Sequence, residues 1–295
     1  MIRIAVISGK GGTGKTMITA ALAQLLPGSL VLADCDVDAA NLELLLSPKI
    51  IRTEPFMGMK TAVIDPTLCV QCGECEAHCR FEAIARDGDA YRVSPLRCEG
   101  CAVCTYVCPA VAVTMQPRQT GEMMYSDTER GHLVHARLVP GAGNSGLLVY
   151  AVKKTAMEQD HNCDLFLIDG PPGTGCPLIS TISGVEIVLV VTEPSVSGLH
   201  DLKRVVEVCR QFRPRILVAV NRFDLELSLT ETIKLWCNEE QIPMIGKIPF
   251  DPVVIELVRN GVPVTSAGTS PAAQAIQMLE SNLEQELKHY RDQRK

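Results

Sequence analysis

The chain has 295 residues, 46% of them hydrophobic but only 4% aromatic, enough for one large aliphatic-cored α/β domain plus a small module. With 34 acidic against 28 basic residues its net charge is −6, which argues against a nucleic-acid binder built on clustered lysine and arginine. No apolar run approaches a membrane span, and the first residues read as a strand instead of a secretion signal, so a cytoplasmic chain is expected.

Thirteen cysteines in a chain of that kind point to metal and not to disulfides.

A first strand is expected at Arg3–Ile7, inside the apolar run Ile2 to Ser8. It feeds Gly9-Lys10-Gly11-Gly12-Thr13-Gly14-Lys15-Thr16, which fits G-x-x-x-x-G-K-T, and then a helix over Lys15–Leu26. Phosphate binding needs this strand–loop–helix setting. Glycines let backbone N–H groups curl around phosphate oxygens, and the helix N-terminus adds its positive end. Lys15 is placed to reach the β- and γ-phosphates, and the Thr16 hydroxyl to hold Mg²⁺. A second strand, Leu30–Ala33, runs into the acidic segment Asp34-Cys35-Asp36-Val37-Asp38-Ala39-Ala40-Asn41, where Asp38 or Asn41 can serve simply as helix caps.

The α/β rhythm then stops between about Thr61 and Met115. Cysteines fall at 69, 72, 75 and 79, and again at 98, 101, 104 and 108, each recurring 29 residues later, as does a proline three residues ahead of each first cysteine (Pro66, Pro95). An internal repeat of this kind reads as a two-fold-symmetric insert in a surface connection. Each comb is C-x2-C-x2-C-x3-C, the spacing of [4Fe–4S] ferredoxins; zinc is the rival, but it favours separate C-x2-C pairs over four thiols in one run. The block from 61 to 115 carries four basic and seven acidic residues, which suits a partner with a basic docking face.

Beyond the insert, a helix is expected at Leu147–Gln159 and a buried strand at Leu165–Ile168, ending in Asp169-Gly170-Pro171-Pro172-Gly173-Thr174-Gly175. An acid at the C-terminal end of such a strand sits where open α/β sheets place ligands. Strands at Ile187–Val191, Ile216–Val220 and near Ile245–Ile248 alternate with helices at Leu199–Gln211, Leu229–Glu240 and Pro271–His289. The strands are apolar without alternation, as strands buried on both faces should be. The last helix carries Ile276, Leu279, Leu283 and Leu287 on one face.

KGGTGKT, with its early Lys10, resembles the deviant Walker A loop of the MinD/ParA class. Together with the combs and the runs GHLVHARLVPGAGNSGLLVYAVKK and IDGPPGTGCPLISTISGVEIVLVVTEPSVSGLHDLKRV, it resembles MinD-superfamily P-loop ATPases containing an inserted ferredoxin domain. The resemblance implies an α/β, mostly parallel-sheet P-loop NTPase of the SIMIBI/MinD-like type, in two parts (1–60 and 116–295) around a two-cluster bacterial ferredoxin-like module (61–115).

It further implies ATP and Mg²⁺ bound by Gly9 through Thr16, with Lys10 on the phosphates of a partner subunit. Asp34 would support Mg²⁺ through water, Asp36 would position the attacking water, and Asp169 would be the Walker B acid. Gly173 would sense the γ-phosphate and Asn221 would meet adenine; Asn221-Arg222-Phe223-Asp224 also imitates the guanine-reading N-K-x-D, with Arg for Lys. The crossed arrangement usual in such ferredoxins would give one cluster to Cys69, Cys72, Cys75 and Cys108, and the other to Cys98, Cys101, Cys104 and Cys79. Cys79 departs from the ferredoxin pattern in being followed by Arg80 where Cys108 has Pro109.

Cys176 lies seven residues after Asp169, the spacing of a bridging-cluster cysteine in the dinitrogenase iron protein, but no second cysteine matches and it reads as a small helix-starting residue. The end of the chain, ELKHYRDQRK, lacks the bulky apolar residues of a membrane-targeting helix. Three functions are expected to compete. The first is ATP-gated electron transfer in a homodimer, or in a heterodimer with a related ATPase, toward a redox partner. The second is assembly of a cluster or metallocofactor for an apo-metalloprotein. The third is a spatial switch that senses redox state.

Overall fold

The computed structural model describes residues 1–159 and 163–293, so only Arg294 and Lys295 of the polar C-terminal segment lie outside the described residues. The chain opens with β1 (Ile2–Ser8), α1 (Lys15–Leu25), β2 (Leu30–Asp34), α2 (Leu42–Leu46) and β3 (Lys49–Met57). Residues 61–116 form a separate run: β4 (Thr61–Ile64), α3 (Glu74–Ala77), β5 (Ile84–Asp87), β6 (Ala90–Val93), α4 (Val103–Val107) and β7 (Val113–Gln116). There follow β8 (Gln119–Thr128), β9 (Gly131–Leu138), α5 (Ser145–Gln159), β10 (Leu165–Pro172), α6 (Cys176–Ile182), β11 (Ile187–Thr192) and α7 (Val196–Arg210). The chain ends with β12 (Arg215–Asn221), α8 (Leu227–Glu239), β13 (Met244–Ile248), α9 (Pro252–Arg259) and α10 (Pro271–Asp292).

Nine strands make one sheet in the order β13-β12-β11-β1-β10-β2-β9-β8-β3. It is parallel from β13 to β9, and β8 runs against both β9 and β3. Each central strand is buried on both faces, which explains its unbroken apolar sequence. On β1, Ile4 and Val6 enter one core with Leu22 of α1 and the α10 stripe Ile276, Leu279, Leu283 and Leu287. Ala5 and Ile7 enter the other with Leu148 of α5, Phe166 and Val205 of α7.

The antiparallel edge, β8 and β3 beside β9, has no counterpart among the strands expected from the sequence. Lys49–Met57 is largely exposed, so its residues alternate weakly and carry little apolar signal. The register across the middle of the sheet sets up the functional site: Asp169 pairs with Val6 on one side and Asp34 on the other.

Cys35, Cys209 and Cys237 are buried among apolar side chains of the second core. Burial pushes the Cys209 and Cys237 thiols up to about 12 from 9.0, and Cys35 is shifted the same way. A group whose pKa is raised by folding contributes stability below its unfolded pKa and loses it as pH rises toward the folded one. The urea midpoint is therefore expected to fall between about pH 8.5 and pH 10.5. A Cys209→Ala, Cys237→Ala variant should show a shallower fall; an unchanged slope would remove these thiols as its cause.

Candidate functional site

The loop from Gly9 to Gly14 leaves the C-terminal end of β1 and turns into α1 with Gly12 and Gly14 in the left-handed region, at φ 79° and 88°. Gly14 has no room for a side chain, because Asn221 sits against it. Asn221, at the end of β12, donates from Nδ2 to the Thr13 carbonyl at 2.8 Å and accepts the Arg222 N–H at Oδ1. One N–H and the oxygen of this amide are thus engaged within the protein, and Asn221 braces the loop from a position that also lines the adjoining cavity. Asn221→Ala is expected to cost about 1–2 kcal/mol through the orphaned carbonyl. It should weaken ATP, ADP and GTP binding by similar factors, measured by titration calorimetry. A selective loss of adenine nucleotides would instead assign Asn221 to base reading.

Lys15, 5% exposed, lies 3.0 Å from Asp169 and 3.6 Å from Asp36. Burial works against its charge, but Asp169, Asp36 and Asp34 outweigh it and hold its pKa above the ordinary lysine value. Asp169 accepts hydrogen bonds from Thr16 Oγ1 at 2.7 Å and Thr19 Oγ1 at 2.8 Å. Asp34 accepts the N–H groups of Asp36 and Leu42 at 3.0 and 3.1 Å, which fixes the path from β2 into α2. Burial, and after it the Asp169 charge, push Asp34 well above the carboxylate range. Burial likewise raises Asp36, against the pull of Lys15.

Asp169 and Asp36 around one ammonium, with the Asp34 carboxyl behind them, leave an excess of negative charge beside the Thr16 hydroxyl. That donor set fits a hard divalent cation such as Mg²⁺.

Gly173, at φ 88°, donates its N–H to the Ser8 carbonyl at 3.0 Å, a bond it must exchange before it can meet a phosphate. Lys10 points back at its own chain: Nζ lies 2.6 Å from Glu193 Oε1 and donates to Ser195 Oγ and Ser197 Oγ at 3.2 and 3.0 Å. Glu193 also pairs with Arg222 at 3.4 Å. The loop, Asp36, Asn221 and Arg222 line a cavity of ≈ 800 Å³ whose far wall is Pro249, Phe250 and the apolar side of α9; Asp38 and Asn41 also reach it.

Thr19 and Glu193 had no assigned role in the sequence. Thr19 lies one helical turn after Lys15, on the same face of α1. Glu193 follows the end of β11, just as Asp169 lies near the end of β10.

Lys153 of α5 closes the C-terminal end of α6, donating to the Ser180 and Thr181 carbonyls at 2.9 Å each and to Ser183. Burial lowers its pKa to about 8. Cys176 opens α6 as an exposed residue beside Gly146.

Residues 61–116 repeat in three dimensions. β4 pairs with β7 and β5 with β6, so each small sheet joins one strand from either half. Left-handed positions recur 29 residues apart at Gln71 and Gly100, Gly73 and Ala102, and Glu82 and Val111. Ala83 N–H donates to Cys79 Sγ, and Ala112 N–H to Cys108 Sγ, both at 3.3 Å.

The four thiols of Cys79, Cys98, Cys101 and Cys104 line one small cavity walled by Ala62, Phe81, Ala83, Ile84 and Met115. On the other side, burial and the neighbouring Cys69 and Cys108 raise Cys75. Burial opposes the Cys98 thiolate, but the Ala62 and Gly100 N–H groups, the Thr61 hydroxyl and Arg118 prevail and lower its pKa. Among the described residues no three His, Cys, Asp or Glu side chains converge tightly enough to hold one metal ion.

A glycine-bearing loop between strand and helix, with carboxylates at the ends of the two neighbouring strands, defines a P-loop nucleotide-binding protein. The model of the CobQ/CobB/MinD/ParA nucleotide binding domain family matches residues 4–264, and the chain belongs to that family; it is an ATPase of the MinD/ParA type.

An uncharacterized protein of Methanocaldococcus jannaschii is 31% identical over 97% of each chain. A cytosolic Fe-S cluster assembly factor, the Nubp1 homolog of Drosophila willistoni, is 26% identical over 39% of this chain and 43% of its own. The fold is shared with the septum site-determining protein MinD of Pyrococcus horikoshii, solved in complex with Mg-ADP, at a TM-score of 0.58 and 21% identity over 96% of this chain and 95% of that one. No helix among the described residues is long and apolar enough to cross a membrane.

Proposed function

We propose that this ATPase couples nucleotide-driven changes at two switch segments, residues 34–41 and 169–175, to two [4Fe–4S] clusters held in residues 61–115. Residues 1–60 and 116–295 would form the ATPase. The thiol-lined cavity and the matched N–H···S bonds support two equivalent four-thiol sites, Cys69, Cys72, Cys75 and Cys108 for one and Cys98, Cys101, Cys104 and Cys79 for the other. Clusters in such sites supply one-electron transfer at low potential. At the nucleotide site Lys15 and the loop amides hold the phosphates, while Thr16 and Asp169 hold Mg²⁺, with Asp34 behind them. Asp36 orients the attacking water.

The observation that carries the coupling is the loop 139–145, which touches all three parts. Its entry is tied to the Asp36-containing segment, Leu138 N–H donating to the Val37 carbonyl at 3.0 Å. Its middle abuts the second comb: a Cβ on Gly143 would come within 3.1 Å of the Glu99 carboxylate, and Leu96 lies against Gly141. Its exit is held by α6, Ser180 Oγ donating to the Gly146 carbonyl at 2.9 Å. A shift of either switch therefore has a packed route to the cysteines.

In a dimer, Lys10 would trade Glu193 for the partner's phosphate. Lys10→Ala should then abolish ATP-dependent dimerisation, measured by light scattering, while the monomer stays folded.

The coupling is tested by anaerobic reconstitution with iron and sulfide, followed by redox titration and reoxidation with ATP, ADP or a γ-phosphate analogue. A potential or reoxidation rate that changes with the γ-phosphate is expected, and nucleotide-independent values would sink the gated reading. The similarity to an Fe-S assembly factor favours a second reading, in which the ATPase delivers a cluster to an apo-metalloprotein. Transfer of iron and sulfide to such a protein in the same assay would select it.

A further inference from the structure

The two halves of the cysteine module share one backbone, so a difference between their sites must come from side chains that break the repeat. Several breaks fall together on the site lined by Cys79, Cys98, Cys101 and Cys104. Arg118, between β7 and β8, donates from Nη1 to the Pro95 carbonyl, three residues ahead of Cys98. The matching position 29 residues earlier is Asp89, of opposite charge. Arg97 precedes Cys98 where Leu68 precedes Cys69, and exposed Arg80 follows Cys79 where Pro109 follows Cys108. The Thr61 hydroxyl is buried without a hydrogen-bond partner, next to Ala62 in the wall of the cavity that Cys98 lines, and its counterpart in the other half is Ala90.

Around the first comb the charges have the other sign. Glu74 and Glu76 flank Cys75, where the second comb has Val103 and Thr105 around Cys104. Three features pull the opposite way: Glu99 beside Cys98 replaces Val70, Glu82 between the cavity-lining Phe81 and Ala83 stands where the other half has Val111, and the Tyr91 hydroxyl lies over Gly73, 3.2 Å from where a Cβ would be. Two carboxylates against three guanidinium groups, and a neutral hydroxyl against three carboxylates, leave the imbalance standing.

Positive charge and donors near the ligand sulfurs stabilise the added electron, and these are the terms that set the potential of a thiolate-bound cluster. We propose, resting on the two-cluster reading above, that Arg118, Arg97, Arg80 and the Thr61 hydroxyl make the Cys79, Cys98, Cys101 and Cys104 site the more readily reduced of the two. A low-potential one-electron donor protein that gives up one electron then leaves it at this site. The site gains one electron, with no bond or proton moved. It is also the site whose Leu96 and Glu99 touch the loop 139–145, so the first electron comes to rest beside the part of the ATPase that answers to nucleotide.

The test is an EPR-monitored redox titration of the full chain after anaerobic reconstitution, with dithionite as reductant and mediator dyes. Two separate one-electron waves are expected. Arg118→Gln and Arg80→Pro should each move the upper wave to more negative potential and leave the lower one in place. Asp89→Asn, on the first half, should raise the lower wave alone, which keeps the proposal testable should Arg118→Gln fail to fold. A single unresolved wave, or an Arg118→Gln shift confined to the lower wave or shared equally, overturns the assignment while the two-cluster reading survives. Absence of iron, sulfide and EPR signal after reconstitution removes the two-cluster reading itself, and this proposal with it.

Discussion

Replacing Lys15 by alanine is expected to lower ATP turnover by about 10²- to 10³-fold, the loss seen when one preorganised donor to developing negative charge is removed. The same change should unsettle the fold at the site. Lys15 neutralises a cluster in which Asp169 lies 3.0 Å and Asp36 3.6 Å away, with Asp34 fully buried behind them. Breaking a buried ion pair from one side typically costs about 3–5 kcal/mol, because the remaining charge is left uncompensated.

The protein relieves part of that cost by binding a proton, and Asp34 is already the carboxyl pushed furthest in that direction. Carboxyl groups whose pKa is raised by folding contribute stability at low pH and lose it as pH climbs through the folded value. Lys15→Ala should therefore be closest to the parent in urea midpoint near pH 5 and fall behind it as pH approaches 8. Phosphate release at saturating Mg-ATP and denaturation at the two pH values check both halves. Turnover within threefold of the parent would sink the assigned role.

The second large effect concerns which thiols belong together. Cys79→Ala, a change in the first comb, is expected to empty the site of the second, leaving about four of about eight iron atoms after reconstitution. Cys98→Ala should do the same, and the double variant should lose no more than either single one. The reason is geometric: Cys79 shares its cavity with Cys98, Cys101 and Cys104 although it lies 19 or more residues ahead of them in sequence. Cys79→Ala combined with Cys69→Ala should lose all the iron. If instead Cys79→Ala with Cys98→Ala empties the chain, each comb binds its own cluster and the crossed arrangement is wrong.

The parts legible in the sequence were those that local pattern specifies. Strands β1, β2, β10, β11, β12 and β13 announce themselves as continuous apolar runs because both faces are buried. The phosphate loop is built from the backbone of consecutive residues, so spacing alone identifies it. The 29-residue recurrence of the combs carried over into strands, left-handed turns and N–H···S bonds at the same interval, since equal sequences under equal constraints fold alike. The edge strand β3 and its neighbours β8 and β9 were not legible. β3 is largely exposed and meets β8 only across the intervening cysteine module, while β9 docks on the distant β2 and carries β8 with it as a hairpin.

The tertiary structure alone decided how the charged residues are committed. Asp169, read as an acid at a strand end, is held by Thr16 and Thr19. Asn221, at the end of β12, donates to the Thr13 carbonyl and also lines the cavity. Lys10, expected to reach outward to a partner, is paired with Glu193, 183 residues away in sequence. The loop 139–145 joins both switch segments to the second comb through contacts that no spacing records. Sequence determines what depends on neighbours a few residues apart. Ion pairs, shared cavities and packed loops depend on which distant segments the sheet register brings together, and register is fixed only when the whole core closes.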